Sequence, residues 1–239
     1  MTRAPIDIDP AVPPTSRPFR AVIFDLDGVL VDSEIWWDEV RADFARRHGR
    51  AWTEADRAAV MGANSRQWSE TMRTRLGLPM SAAEIEREIV EGVVERYRAE
   101  GAPVIDGAID VVRRLAGRYR TAVASSAHRR VIDAALEALG LAAAFDAVVS
   151  SDEVARGKPA PDVYLETARR LGIAPSDCLV VEDSLNGVLA ARAAGMTVVL
   201  VPNGSVPPAA GAREAASVVL ARISELDPEA LARALGRAG

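Results

Sequence analysis

The chain reads as an α/β protein, a doubly wound, Rossmann-like parallel sheet with an α-helical cap domain inserted into it. Three observations lead there. Short β-branched runs, apolar on both faces, recur along the sequence, as strands buried beneath helices on either side require. Segments of helical periodicity separate these runs, and that alternation implies right-handed crossovers. One long stretch breaks the alternation, with helical patterning and no strand, and so stands outside the sheet.

In chain order, Ala21-Val22-Ile23-Phe24 is the first strand. Residues 33–101 make the helical insert, with helix candidates over Glu34 to His48, Arg66 to Leu76 and Ala82 to Glu100, and a turn marked by Gly77 and Pro79. All four tryptophans, Trp36, Trp37, Trp52 and Trp68, fall within it. The sheet domain then resumes, so residues 19–32 and 102–239 form one core. Its further strands are Thr121-Ala122-Val123-Ala124, Ala147-Val148-Val149, Leu179-Val180-Val181 and Thr197-Val198-Val199-Leu200-Val201, with Ser217-Val218-Val219-Leu220 an edge-strand candidate after the proline-rich Pro202 to Pro208. Ile132, Ala135, Leu136 and Leu139 share one helix face, Leu185, Val188 and Leu189 begin another, and a short helix lies around Pro228 to Leu235. Gly117, Gly140, Gly172 and Gly195 each follow a helical pattern, where a left-handed residue is expected. Residues 1–18 hold five prolines and no apolar run, which predicts a flexible tail rather than a leader peptide.

Composition excludes several function classes. A net charge of -5 and a pI near 5.3 argue against nucleic acid or an anionic membrane as partner, because either demands a basic surface. No apolar run approaches the roughly eighteen residues of a membrane-spanning helix. The single cysteine, Cys178, rules out an internal disulfide and a cysteine-rich zinc site, and predicts a reducing, cytoplasmic home and a buried filler role. The basic residues are 28 arginines and one lysine, Lys158, beside 44 alanines. That skew points to codon preference, so most arginines carry no functional message and the lone lysine stands out.

Ligands of open α/β sheets bind beyond the carboxyl ends of the strands. There the first strand ends in Asp25-Leu26-Asp27-Gly28, a second in Ser125-Ser126 and a third in Glu182-Asp183-Ser184, with Lys158 in the loop Arg156-Gly157-Lys158-Pro159. Carboxylates crowded into one crevice need cations. Lys158 supplies one, and a divalent ion would supply the other. Oxygen ligands around a phosphate-bearing substrate suit magnesium, and no His/Cys set competes for zinc. A strand-end Asp can attack phosphorus, and an acid two residues on can protonate the leaving alkoxide, provided its pKa is raised.

Phe24-Asp25-Leu26-Asp27-Gly28-Val29-Leu30-Val31-Asp32-Ser33-Glu34 resembles the first motif of the haloacid dehalogenase-like hydrolases, in their phosphatase and β-phosphoglucomutase-like branch with a helical cap. Ser125-Ser126 resembles the second motif, Gly157-Lys158-Pro159-Ala160-Pro161-Asp162 the third, and Val181-Glu182-Asp183-Ser184 with Gly187 the fourth, all in family order. The resemblance implies that Asp25 is the nucleophile and Asp27 the general acid and base. It implies a magnesium set of Asp25, Asp27 through its backbone carbonyl, Asp183, and Glu182 as ligand or as the partner behind one. Ser125, Ser126 and Lys158 would hold phosphoryl oxygens, Lys158 also neutralising Asp25, and the helical insert would close over the site. The activity implied is hydrolysis of a small phosphorylated metabolite, a sugar or polyol phosphate, through an aspartyl-phosphate.

Other readings stand beside these. Asp25 and Asp27 can serve as turn formers, and Ser125 and Ser126 as helix caps. His48 and His128 suit helix ends, and the tryptophans suit packing, with Trp37 and Trp68 the two to inspect for substrate contact. The loop Gly62-Ala63-Asn64-Ser65-Arg66 has the make-up of a substrate-reading turn, which makes Asn64 and Arg66, with Trp37, substrate-binding candidates. A phosphosugar mutase shares the core motifs but carries a histidine about a dozen residues past the nucleophile, where this chain has Ile35-Trp36-Trp37-Asp38. A dehalogenase has no use for Asp27. A phospho-accepting signalling module is about half as long and lacks that second acid, and a non-catalytic protein has no reason to gather these acids.

Overall fold

The computed structural model describes residues 18–237, so the tail expected over residues 1–18 falls, apart from Pro18, outside the described residues. Among these, six strands form one sheet, β1 (Ala21–Phe24), β2 (Arg120–Ser125), β3 (Ala147–Ser150), β4 (Cys178–Glu182), β5 (Thr197–Leu200) and β6 (Val218–Val219), in the order β3-β2-β1-β4-β5-β6. Every neighbouring pair is parallel; Phe24 stands opposite Val123 on one side and Val181 on the other. The order reverses between β1, β2 and β4, so the crevice beyond β1 is the topological switch point at which such sheets bind ligands.

Between β1 and β2 run four helices, α1 (Glu34–Arg47), α2 (Glu54–Val60), α3 (Ser65–Leu76) and α4 (Ala82–Glu100), followed by α5 (Ala108–Ala116). The starts of α2, α3 and α4 are written in the sequence as reciprocal capping boxes, Thr53 with Asp56, Asn64 with Gln67 and Ser81 with Glu84. Each box satisfies two otherwise orphaned N–H groups, worth about 1 kcal/mol per helix start. The remaining helices are α6 (Arg129–Ala138), α7 (Asp162–Leu171), α8 (Leu185–Ala193), α9 (Ala212–Ala215) and α10 (Pro228–Ala234).

Strand alternation divides the core. Val22, Phe24, Val123, Leu179, Val181 and Val199 face one way, towards α5, α6 and α10, and Ile23, Ala122, Ala124, Val180 and Val198 the other, towards α7, α8 and α9. In α5 the stripe is Ala108, Val111, Val112 and Leu115, the i, i+3, i+4, i+7 pattern of one buried face. The first layer continues without a break through Leu26, Val29, Leu30 and Val31 into Phe44, Trp68, Met72, Ile85 and Ile89 of the helical lobe. The lobe therefore packs on the same apolar mass that supports the end of β1.

One expectation about glycines is corrected. Gly140, Gly172 and Gly195 have positive φ, but Gly117 sits at φ -81, a right-handed continuation of α5 that any residue adopts. Helix α2 has no counterpart among the sequence's helix candidates, because seven residues show too little periodicity, although its Thr53/Asp56 cap is a readable start signal. None of the described helices is long and apolar enough to cross a membrane.

Candidate active site

The turn after β1 aims two carboxylates at one point. The Leu26 carbonyl accepts from the N–H groups of Leu30 at 2.8 Å and Val31 at 3.1 Å, and the Gly28 N–H donates to the Val31 carbonyl at 2.7 Å. Gly28 holds φ +79, and a Cβ there would lie 2.0 Å from Asp183 Oδ2, so glycine is required both by conformation and by the close approach of β4's end.

Asp25 is buried, and its Oδ1 accepts from Lys158 Nζ at 2.6 Å. Lys158 also donates to Glu182 Oε1 at 2.6 Å and to the Ala124 carbonyl at 3.1 Å, which uses all three ammonium protons. Its Nζ lies 5.0 Å from the Tyr164 ring centroid, and the Tyr164 hydroxyl donates to the same Glu182 oxygen at 2.7 Å. Burial disfavours the ammonium, but Asp25 and Glu182 more than reverse that and hold the amine well above its ordinary range. For Asp25, burial dominates, with Lys158 opposing and Glu182 and Asp27 adding to it, and the carboxyl rises to about 7.

Glu182 and Asp183 are neighbours with different surroundings. Glu182 is fully buried, and its Oε2 accepts from the N–H groups of Asp183 and Ser184 and from the Ser184 hydroxyl, at 3.0–3.1 Å. Gly187 lies so close to this carboxylate that an added Cβ would overlap it, 1.6 Å from Oε1. Asp183, by contrast, accepts no hydrogen bond among the described residues, and burial, then Glu182 and Asp25, push its carboxyl well up. Oxygens of Asp25, Glu182 and Asp183 lie within 4.8 Å of one another, a group that can hold a metal ion. Three carboxylates against one ammonium leave a charge deficit, and the partnerless Asp183 is where a divalent cation fits it.

Asp27 takes the Ser33 hydroxyl on Oδ1. Burial raises its carboxyl, opposed by hydrogen bonding from Ser33 and Trp37. Ser125 is buried and accepts the Ala127 N–H at 3.0 Å, so its own proton is free to donate. Asp25, Asp27, Ser125, Ser126, Lys158 and Asp183 all line one cavity of ≈ 420 Å³ at the strand ends, which Glu34, Trp37, Arg41 and Trp68 of the helical lobe also line.

Of the residues expected to read substrate, Trp37 and Trp68 line this cavity, as do Gly62 and Ala63 of the 62–66 loop, whereas Asn64 and Arg66 do not. Asn64 is instead committed to capping α3, accepting the Gln67 N–H at 3.0 Å, and Arg66 is exposed on that helix's first turn. The sequence motifs do not single out Arg41 or Tyr164, and they contain Glu34 without giving it a role. The signal for Arg41 is its place at i+4 from Trp37 and i-3 from Phe44, on the buried stripe of α1. Trp36 packs on Tyr97 with ring centroids 5.2 Å apart, and Trp52 donates to Asp38 at 2.8 Å, so these two are packing residues.

Glu86, His128 and Asp152 form a second carboxylate and histidine group at the seam between α4 and α6. His128 caps α6, its Nδ1 accepting the Arg130 N–H at 3.2 Å, and its Nε2 lies 3.8 Å from Glu86 Oε1. The group lies with the Arg130–Glu91 pair in a polar seam between lobe and core.

Residues 19–195 match the haloacid dehalogenase-like hydrolases. A "phosphorylated carbohydrates phosphatase" of Thermotoga maritima is 32% identical over 219 residues, covering 87% of this chain and 96% of that protein. A bifunctional riboflavin kinase/FMN phosphatase of Arabidopsis thaliana is 30% identical over 194 residues, 76% of this chain; the chain spans only 48% of that longer relative. The solved structure of CbbY from Rhodobacter sphaeroides in complex with phosphate matches with a TM-score of 0.77 at 26% identity, over 87% of this chain and 96% of that one. Fold and likenesses together define a phosphoric monoester hydrolase. The chain belongs to the haloacid dehalogenase-like hydrolase family.

Proposed function

We propose that this protein is a magnesium-dependent phosphatase of the reducing cytoplasm that hydrolyses a sugar or polyol phosphate through an aspartyl-phosphate on Asp25. The observation that carries the reading is the arrangement of Asp25, Lys158 and Asp183 around one strand-end cavity. Lys158 holds Oδ1 and leaves Oδ2 of Asp25 with no hydrogen-bond partner among the described residues, as an attacking oxygen requires. Oδ2 forms the bond to phosphorus while the ester P–O bond breaks. Asp27, whose raised pKa keeps a proton available, gives that proton to the departing alkoxide. It then takes a proton from water as the water oxygen bonds to phosphorus and the Asp25–phosphorus bond breaks, which returns Asp25 and frees inorganic phosphate.

Asp25, Asp183 and the Asp27 backbone carbonyl would hold magnesium, which when bound offsets the carboxylate charge and that of the transferring phosphoryl group. Glu182, its oxygens already taken by protein donors, orients Lys158 and the β4 loop. Ser125 donates its free hydroxyl proton to a phosphoryl oxygen. The lobe of α1 to α4, residues 33–101, is the cap that excludes water. An indole N–H only donates, so Trp37 cannot serve as the second base a mutase needs to activate a sugar hydroxyl, which favours hydrolysis. Cys178, buried and pushed up to about 12 by burial, stays a thiol in such a compartment.

Screening phosphorylated metabolites for phosphate release tests the reading. Activity is expected to vanish with EDTA and return with magnesium; EDTA-insensitive release would remove the metal from the account. Gly28→Ala, which drives Asp183 aside, is expected to raise the magnesium concentration for half-maximal rate roughly 10–100-fold, the usual effect of disturbing a ligand's support. An unchanged magnesium titration would detach Asp183 from the metal.

A further inference from the structure

The cavity wall formed by α1 holds a cation that the proposed chemistry leaves unused. Arg41 is 6% exposed, makes no hydrogen bond or ion pair among the described residues, and encloses its Nε with no partner at all. Its guanidinium lies against two indoles, 5.0 Å from the Trp37 ring centroid and 5.4 Å from that of Trp68. The two rings meet edge to face at 6.1 Å, so the guanidinium is held by rigid surfaces rather than by a counter-ion. Glu34, also on the wall, is likewise without a hydrogen bond or ion pair among the described residues. The spacing explains the grouping: Glu34, Trp37 and Arg41 are i, i+3 and i+7 on α1, one face over two turns, and that face looks into the cavity.

Charge decides what this wall accepts. Around Arg41 stand Glu34, Asp38 and Asp27. Asp38 is occupied by Trp52 and by Arg57 at 3.5 Å, and Asp27 by Ser33, which leaves Glu34 as the acid beside Arg41 without a hydrogen-bond or ion-pair partner among the described residues. A second phosphate or a carboxylate brought here would face that unpaired Glu34 carboxylate beside the guanidinium. A hydroxyl group meets no such obstacle, since its oxygen accepts from the guanidinium and its proton goes to the Glu34 carboxylate. A vicinal pair of hydroxyls satisfies both orphaned groups together, and the apolar indoles of Trp37 and Trp68 line the same cavity for the C–H side of the chain.

We infer that Arg41 and Glu34 are specificity-determining residues that read neutral, vicinal hydroxyls on the leaving group, so the enzyme selects polyhydroxylated phosphomonoesters over bisphosphates and phosphorylated acids. The inference rests on the phosphatase reading above. A site built to hydrogen-bond hydroxyls rejects the analogue that lacks them, because its polar groups then stay unpaired.

The test compares kcat/KM for three esters, a hexitol phosphate, n-hexyl phosphate and 3-phosphoglycerate, in the wild type, Arg41→Gln and Glu34→Ala. The wild type is expected to favour the hexitol ester over n-hexyl phosphate by at least about 100-fold, and over 3-phosphoglycerate as well. Arg41→Gln should collapse the first ratio to within roughly tenfold, and Glu34→Ala should lower it by about tenfold or more. The inference is overturned if Arg41→Gln lowers both rates in step, or if the wild type prefers 3-phosphoglycerate and loses that preference with Arg41. Should Arg41→Gln fail to fold, Glu34→Ala, which removes a partnerless side chain, decides alone: a ratio as in the wild type contradicts the inference. If the wild type releases phosphate from no ester at all, it is the phosphatase reading that falls.

Discussion

Asp25→Asn is expected to reduce phosphate release by about 10⁴-fold or more, the scale on which loss of a nucleophile is felt. The substitution keeps the shape of the side chain and its contact with Lys158, so the protein should fold. It replaces the free Oδ2 and the charge that make Asp25 reactive. The position tolerates the neutral form well, since burial has already raised the carboxyl to about 7. Thermal stability should therefore hold or rise while turnover disappears. That opposite movement separates a nucleophile from a turn-forming aspartate, whose replacement would lower stability and activity together. Substantial residual turnover with every phosphate ester would remove Asp25 from the chemistry.

Lys158 carries the second large effect. Its side chain is 4% exposed and links Asp25 to Glu182, itself fully buried. Lys158→Met would leave two buried carboxylates facing each other without a cation, and removing one partner of a buried ion pair costs about 3–5 kcal/mol. For a chain of this size that corresponds to a fall in Tm of roughly 6–20 °C, with activity lost as well. Lys158→Arg keeps the charge and is still expected to lower kcat by about 10²-fold, because positioning errors of this kind are costly. A single ammonium nitrogen reaches Asp25, Glu182 and the Ala124 carbonyl in three directions at 2.6–3.1 Å, which a planar guanidinium cannot reproduce. Near-normal activity in Lys158→Arg would show that charge alone suffices there.

Much of this arrangement is legible in the sequence because strand ends and chemistry coincide. The run Ala21–Phe24 is too short and too apolar to be anything but a buried strand, and the acids follow at once. The lone lysine is visible as a compositional exception, and the structure places it against Asp25. Arg41 is hidden by the opposite circumstance. Among 28 arginines one more attracts no notice, and only its position on the α1 stripe, between Trp37 and Phe44, distinguishes it. The loop around Asn64 and Arg66 reads as a substrate turn from its polarity; its Gly62 and Ala63 line the cavity, whereas the capping box with Gln67 gives Asn64 a local use. Glu182 and Asp183 look equivalent in one dimension. Glu182 is the last residue of β4 and enters the Lys158–Tyr164 network, whereas Asp183, in the bend that follows, remains without a protein donor among the described residues. That distinction belongs to three-dimensional packing and has no sequence signature of its own.

The central claim is that a phosphoryl group passes through Asp25, and trapping it is the most direct measurement. Asp27→Asn lacks the base that activates water, so it should slow release of phosphate from the enzyme by about 10²–10⁴-fold. An ester with an acidic leaving group, which departs without a proton, would still load it. Acid quenching of that variant during turnover of a radiolabelled aryl phosphate should yield a hydroxylamine-labile label on the peptide containing Asp25, close to one per chain, and none when Asp25→Asn is added. A variant that turns over the ester with no covalent label, or a label that survives Asp25→Asn, would contradict the account.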